Sequence, residues 1–124
     1  MPLSFVKRAA RRGWTLTLLW MGVIFISSSL PGERVTPFFP HADKAAHFVI
    51  YGILGMLFSR SLHLQIDGLS RGRIWVITVL FCLLYGILDE WHQSFVPGRD
   101  VCALDVLFDA LGGCAGGLWY HDGN

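Results

Sequence analysis

Polar residues recur at helical spacing inside otherwise apolar stretches of this chain. Asp43, His47 and Tyr51 stand at i, i+4 and i+8, so a helix puts them on one face. Tyr85, Asp89 and Gln93 repeat that spacing, with Glu90 and His92 beside them. Asp105 and Asp109 form a third pair, and Lys44 and Arg99 are the nearby cations. These residue types allow three kinds of chemistry. A carboxylate can act as general base with His47 or His92 as acid. Asp89, Asp105, Asp109, His47 and His92 also have the ligand types of a mixed nitrogen and oxygen metal site. A third option is a binding pocket, in which Lys44 and Arg99 hold phosphate or carboxylate while the acids take amines or hydroxyls. No HExxH, nucleophile motif or phosphatase-like basic signature is present. Binding is therefore preferred to catalysis, and no catalytic residue, metal ligand or cofactor is assigned.

The elements that position these residues are four apolar blocks in a single domain spanning 1–124. They run over about 14–30, 45–64, 74–91 and 104–120. A membrane-crossing helix needs about 20 mainly apolar residues, and all four blocks sit at or near that length. The buried helices of a soluble bundle would carry a polar stripe every 3.6 residues. Residues 74–88 and 18–26 carry none. Composition agrees: 53% of the 124 residues are hydrophobic, only 15% are charged, and mean hydropathy is +0.50. Trp14, Trp75, Trp91 and Trp119 lie near block ends, where an aromatic belt belongs, whereas Trp20 does not. The expected fold is an all-α, integral membrane four-helix bundle. Net charge +1 offers no basic face for nucleic acid. Three cysteines without a CxxC form no disulfide framework.

Loop charges set the expected orientation. Lys7, Arg8, Arg11, Arg12, Arg60, Arg71 and Arg73 fall on one side, and Arg34, Lys44 and Arg99 on the other. The positive-inside rule then puts both termini in the cytoplasm of a multi-pass protein of the bacterial cytoplasmic (inner) membrane. Seven acids fall outside, at Glu33, Asp43, Asp89, Glu90, Asp100, Asp105 and Asp109, against Asp67 and Asp122 inside. The faces carry +5 and −4, so the small net charge is a cancellation. A competing reading of residues 1–30 is a cleaved secretory signal, with Arg11-Arg12 hinting at a twin-arginine type. The block is long for a signal core, and the first helix is needed to complete an even-numbered bundle.

In this topology the polar residues converge at the outer end of the bundle. Ser27, Ser28 and Ser29 close the first helix there. Asp43 and Asp105 also suit the first turn of a helix, where the dipole favours an anion. That does not account for Asp89 and Glu90 at a helix C-terminus, or for Asp109 one turn deeper. Charges at such depth face the bundle interior, pair and mark function. The expected partners of the acids are Lys44, Arg99, His47 and His92. Gly112-x-x-x-Gly116 and Gly113-x-x-x-Gly117 let the fourth helix approach a neighbour closely. Pro31-Gly32 before Asp43-x-x-x-His47 is echoed by Pro97-Gly98 before Asp105-x-x-x-Asp109, as in a parallel repeat.

The string Asp43-Lys44-x-x-His47-Phe48-x-x-Tyr51-x-x-Leu54-Gly55, then Asp89-Glu90-x-x-Gln93-x-Phe95-x-Pro97-Gly98-Arg99-x5-Asp105-x6-Gly112-x3-Gly116, resembles the VanZ-like family over about 15–118. Ser28-Ser29-x-Pro31-Gly32 also looks like that family. The resemblance implies a small bacterial multi-helix membrane protein, associated through the family's namesake with low-level resistance to the lipoglycopeptide teicoplanin. It carries over Asp43, Lys44, His47, Tyr51, Asp89, Glu90, Gln93, Arg99 and Asp105 as polar positions. The family often has Asn where this chain has Asp109, and an added acid there needs a proton or a cation. The expected function is an outward-facing pocket for an envelope component, a lipid headgroup or lipid-linked precursor, with membrane lipids as partners. The alternatives are a membrane enzyme, metal-assisted or not, using the Asp/His cluster, and a structural or partner-binding subunit.

Overall fold

The computed structural model describes residues 2–31 and 39–123. Among them are four α-helices and no strand: α1 (Leu3–Ser28), α2 (Ala42–Gln65), α3 (Arg71–Gln93) and α4 (Ala103–Asp122). Each contains most of one apolar block and extends it with polar turns. The largest extension is in α1, which reaches back to Leu3 and so carries Lys7, Arg8, Arg11 and Arg12 in its first half. Ser70 starts α3 by accepting a hydrogen bond from the Arg73 backbone N–H. Gly32 of the expected turn, together with Glu33 and Arg34 of the outer-face charge count, lies outside the described residues.

Among the described residues two helices, α2 and α3, are long and apolar enough to cross a membrane. The sequence reading expected four such spans. The first half of α1 is basic, which leaves a short apolar remainder. In α4, Asp105, Asp109 and four glycines dilute the apolar content.

The helices alternate in direction, so the end of α1, the start of α2, the end of α3 and the start of α4 meet at one end. Helix α2 is the hub. It packs most extensively on α4, then on α1, while α3 also lies against α4 and α1 barely touches α3. The α2–α4 contact depends on missing side chains. A Cβ at Gly55 would lie 2.6 Å from the Gly113 carbonyl oxygen, so the two backbones approach as closely as glycine allows.

Side-chain polarity is inverted relative to a water-soluble bundle. Thr17, Ser59, Ser61 and Thr78 are buried, and Thr17–Ser61 (3.0 Å) and Ser59–Thr78 (2.8 Å) bond between helices. Leu18, Leu19 and Ile26 on α1, Leu80, Leu84 and Leu88 on α3, and Leu104 and Leu107 on α4 all point outward. Tyr51, Leu54, Ile24 and Cys82 form one apolar cluster, and Phe58, Leu62 and Ile74 form another. Trp20, out of place for an interfacial belt, has a structural role: its Nε1–H donates to the Ile50 carbonyl (2.9 Å) and ties α1 to α2.

Candidate functional site

At the shared end, four carboxylates are withdrawn from solvent: Asp89, Glu90, Asp105 and Asp109, with relative exposures of 8%, 4%, 5% and 0%. A buried carboxylate is costly unless it is paired or hydrogen-bonded, so each one's partners matter.

Asp105, in the first turn of α4, meets Lys44 from α2 at 2.7 Å. The same ammonium lies 2.6 Å from Asp43, so Lys44 bridges two acids. One turn deeper, Asp109 Oδ1 lies 2.7 Å from His47 Nδ1. The other imidazole nitrogen, Nε2, faces Asp105 Oδ2 at 3.8 Å, beyond hydrogen-bonding distance. Asp109 fits so deeply because α3 has no side chain opposite it. A Cβ at Gly86 would lie 2.7 Å from Asp109 Oδ2.

The α3 acids find different partners. The Ser28 hydroxyl, at the end of α1, donates to Asp89. The Cys102 backbone N–H, just before α4, donates to Glu90 Oε2 at 3.2 Å. Glu90 Oε1 and Asp109 Oδ2 are buried without a hydrogen-bond partner among the described residues.

The expected cations divide into two groups. Lys44 and His47 contact the acids. Arg99 does not: its Nε–H donates to the Leu30 carbonyl (2.9 Å) and its Nη2–H to the Ser27 carbonyl (2.7 Å). A guanidinium at the end of α1 satisfies carbonyls that the helix leaves open and complements its dipole. His92 is likewise drawn aside, bonded to Ser29 Oγ at 2.9 Å and stacked on Phe25 with 4.7 Å between ring centroids. Lys44 is engaged by both Asp43 and Asp105, so the expectation that it stands ready for a ligand anion does not match its surroundings. Asp43 and Asp105 are first-turn acids and not caps, since His41 and Cys102 occupy the cap positions.

Beside the acids a cleft of about 290 Å³ opens between the end of α1, the start of α2 and the end of α3. Ile24, Leu30, Ala46 and Ile50 give it apolar walls. Asp43, His47, Tyr51, Asp89, Gln93 and Arg99 add polar groups. Glu90, Asp105 and Asp109 lie behind His47 and do not line it. The structure thus brings Asp43, Lys44, His47, Asp105 and Asp109 into one chain of contacts. Asp89 comes within 4.8 Å of His47 and Asp109, and it lines the cleft with Gln93 and Arg99.

Sequence spacing missed three contributors. The Cys102 backbone N–H and the Gly86 gap carry no side-chain signal. Trp20 has one, an interior indole whose N–H needs an acceptor.

A family model described as VanZ/LLP1 matches residues 13–121, nearly the whole chain. No curated protein and no solved structure matches it. The chain belongs to the VanZ/LLP1 family.

Proposed function

We propose that this VanZ/LLP1 protein is a multi-pass protein of the bacterial cytoplasmic membrane, with both termini in the cytoplasm. Its cleft holds the head of an envelope amphiphile, a lipid or a lipid-linked precursor. The observation that carries the reading is the cleft's mixed lining, apolar at Ile24, Leu30, Ala46 and Ile50 and polar at Asp43, His47, Asp89, Gln93 and Arg99, which suits a molecule with both an apolar and a polar part. The inverted polarity of the bundle supports a lipid environment, where outward leucines cost nothing and interior hydroxyls join helices. Asp89 and Asp43 take hydroxyls or amines of the head, and the Arg99 N–H groups not used on carbonyls take its anionic group. Any effect on teicoplanin tolerance runs through the same envelope component.

The test is native mass spectrometry of the full chain released from nanodiscs. An amphiphile retained at one per chain by the wild type, and lost from Asp89→Asn and His47→Ala, supports the cleft reading. A wild type that retains nothing beyond bulk lipid overturns it. A second reading, an enzyme, is favoured by one contact: a carboxylate fixing an imidazole, as Asp109 fixes His47, is how a general base is oriented. Lipid extracts of cells expressing the wild type and His47→Ala separate the two readings. A composition that changes only with the wild type favours the enzyme, and identical extracts favour the binder.

A further inference from the structure

The charges at the buried end do not balance. Asp89, Glu90, Asp105 and Asp109 face Lys44 and one imidazole, while Arg99 is spent on carbonyls. With all four ionised and His47 charged, these acids exceed the two cations in contact with them by two, and Lys44 is shared with Asp43 as well. Three carboxylate oxygens buried there, Glu90 Oε1, Asp105 Oδ1 and Asp109 Oδ2, also lack a hydrogen-bond partner among the described residues, Asp105 Oδ1 having only the Lys44 ion pair. Glu90 is only 4% exposed. Its other oxygen accepts one hydrogen bond, from the Cys102 N–H at 3.2 Å.

We propose that His47, Glu90 and Asp105 form a binding site for a divalent transition cation, Zn²⁺ or Mn²⁺. One nitrogen or oxygen from each of the three lies within 4.8 Å of the others. Two ligands of one tetrahedral zinc at about 2.0–2.2 Å stand about 3.3–3.6 Å apart. The 3.8 Å between His47 Nε2 and Asp105 Oδ2 is too long for a hydrogen bond and within roughly a few tenths of an ångström of that ligand spacing, a shift that side-chain rotation supplies. The rotatable Glu90 side chain closes the remaining gap. An imidazole with two carboxylates suits these borderline cations better than calcium, which prefers an all-oxygen shell.

Each ligand is also supported from behind. His47 Nδ1 lies 2.7 Å from Asp109 Oδ1. An N–H donated there to a carboxylate leaves the Nε2 lone pair free for a metal, an outer contact that metal-binding histidines regularly have. Lys44 holds Asp105 Oδ1, and the Cys102 N–H holds Glu90 Oε2. His47, Asp89 and Asp109 form another group of the right size. The His47–Glu90–Asp105 group is preferred because it pairs the His47 nitrogen that is not on Asp109 with the facing Asp105 oxygen and with Glu90, which has an unpartnered oxygen. The site stands on its own geometry.

The test uses the full chain in detergent, stripped with chelator and titrated with Zn²⁺ and with Mn²⁺ by calorimetry. One ion per chain is expected. Glu90→Gln and Asp105→Asn each weaken binding at least about tenfold, and Asp109→Asn weakens it about 10–100-fold through the imidazole. Asp122→Asn, at the far end of α4, leaves it unchanged. No saturable binding of either ion by the wild type overturns the site, and so does undiminished binding by both Glu90→Gln and Asp105→Asn. If those variants misfold, zinc K-edge absorption of the loaded wild type decides: one imidazole nitrogen among oxygens supports the site, and a shell without imidazole overturns it. An amphiphile retained without any metal binding overturns the cation site alone. Metal bound without a retained amphiphile overturns the cleft reading alone.

Discussion

His47 on α2 and Asp109 on α4 lie 2.7 Å apart, one turn inside the end of the bundle, with Asp109 fully buried. Four residues earlier on the same two helices, Asp43 and Asp105 share Lys44. The two helices run in the same direction and touch through glycine, so equivalent turns face each other and the contacts stack in layers. Helix packing and the polar cluster are therefore one structure. The close backbone approach lets short Asp side chains reach across.

The first prediction concerns that pair. His47→Ala leaves Asp109 buried beside Gly86 without its imidazole. Removing one partner of a buried pair costs about 3–5 kcal/mol. Asp109→Asn keeps a polar group of the same shape and removes the charge, so it is the milder change. Thermal unfolding in detergent should rank wild type above Asp109→Asn and Asp109→Asn above His47→Ala. His47→Ala melting with the wild type would show that the pair is not formed.

The helix contact makes the second prediction. Gly55→Ala places a methyl group 2.6 Å from the Gly113 carbonyl, so α2 and α4 must move apart. Overpacking of this kind costs about 1–3 kcal/mol. Gly22→Ala, where a Cβ meets nothing within 4 Å, serves as the control and should not lower the melting temperature. Equal melting of the two variants would argue against the contact.

The four helices were legible in the sequence because each apolar block is long and bounded by charge or by Pro and Gly. The convergence of Asp43, His47, Asp89, Asp105 and Asp109 at one end followed from alternating direction alone. Their pairing was legible only in part: Lys44 and His47 were expected beside the acids, but not which acid each meets. Spacing shows which residues share a face but not how a helix is rotated against its neighbour. That rotation turns Arg99 and His92 toward α1 and away from the acids. Nor did composition reveal that the apolar content is diluted in α1 by its basic first half and in α4 by its acids and glycines, because the helix boundaries decide which residues are averaged together.

A third prediction follows from Arg99, whose side chain joins the α3–α4 connection to the end of α1. Arg99→Ala removes two charged-donor hydrogen bonds and leaves the Ser27 and Leu30 carbonyls open, at a cost of about 1–3 kcal/mol. Since α1 touches α2 mainly and α3 hardly at all, the loss should stay local. Hydrogen exchange should rise over residues 25–30 and remain unchanged over the α2–α4 contact. A uniform rise across all four helices would contradict this arrangement.

The last prediction tests orientation, which rests on loop charge and not on the fold. If the polar end faces outward, Cys102, between α3 and α4, lies on the outer side of the membrane, and Asp67, between α2 and α3, lies on the cytoplasmic side. Cys82 is buried in the core and Cys114 lies within α4, so replacing both by Ala leaves one reporter near the polar end. A membrane-impermeant maleimide added to intact spheroplasts should label Cys102 in that background. A chain carrying Asp67→Cys, with Cys102 also replaced by Ala, should be labelled only after lysis. The opposite pattern would place the acidic cluster in the cytoplasm. The basic residues of α1 and of the α2–α3 connection would then face outward, against the bias that anionic lipids and the membrane potential impose.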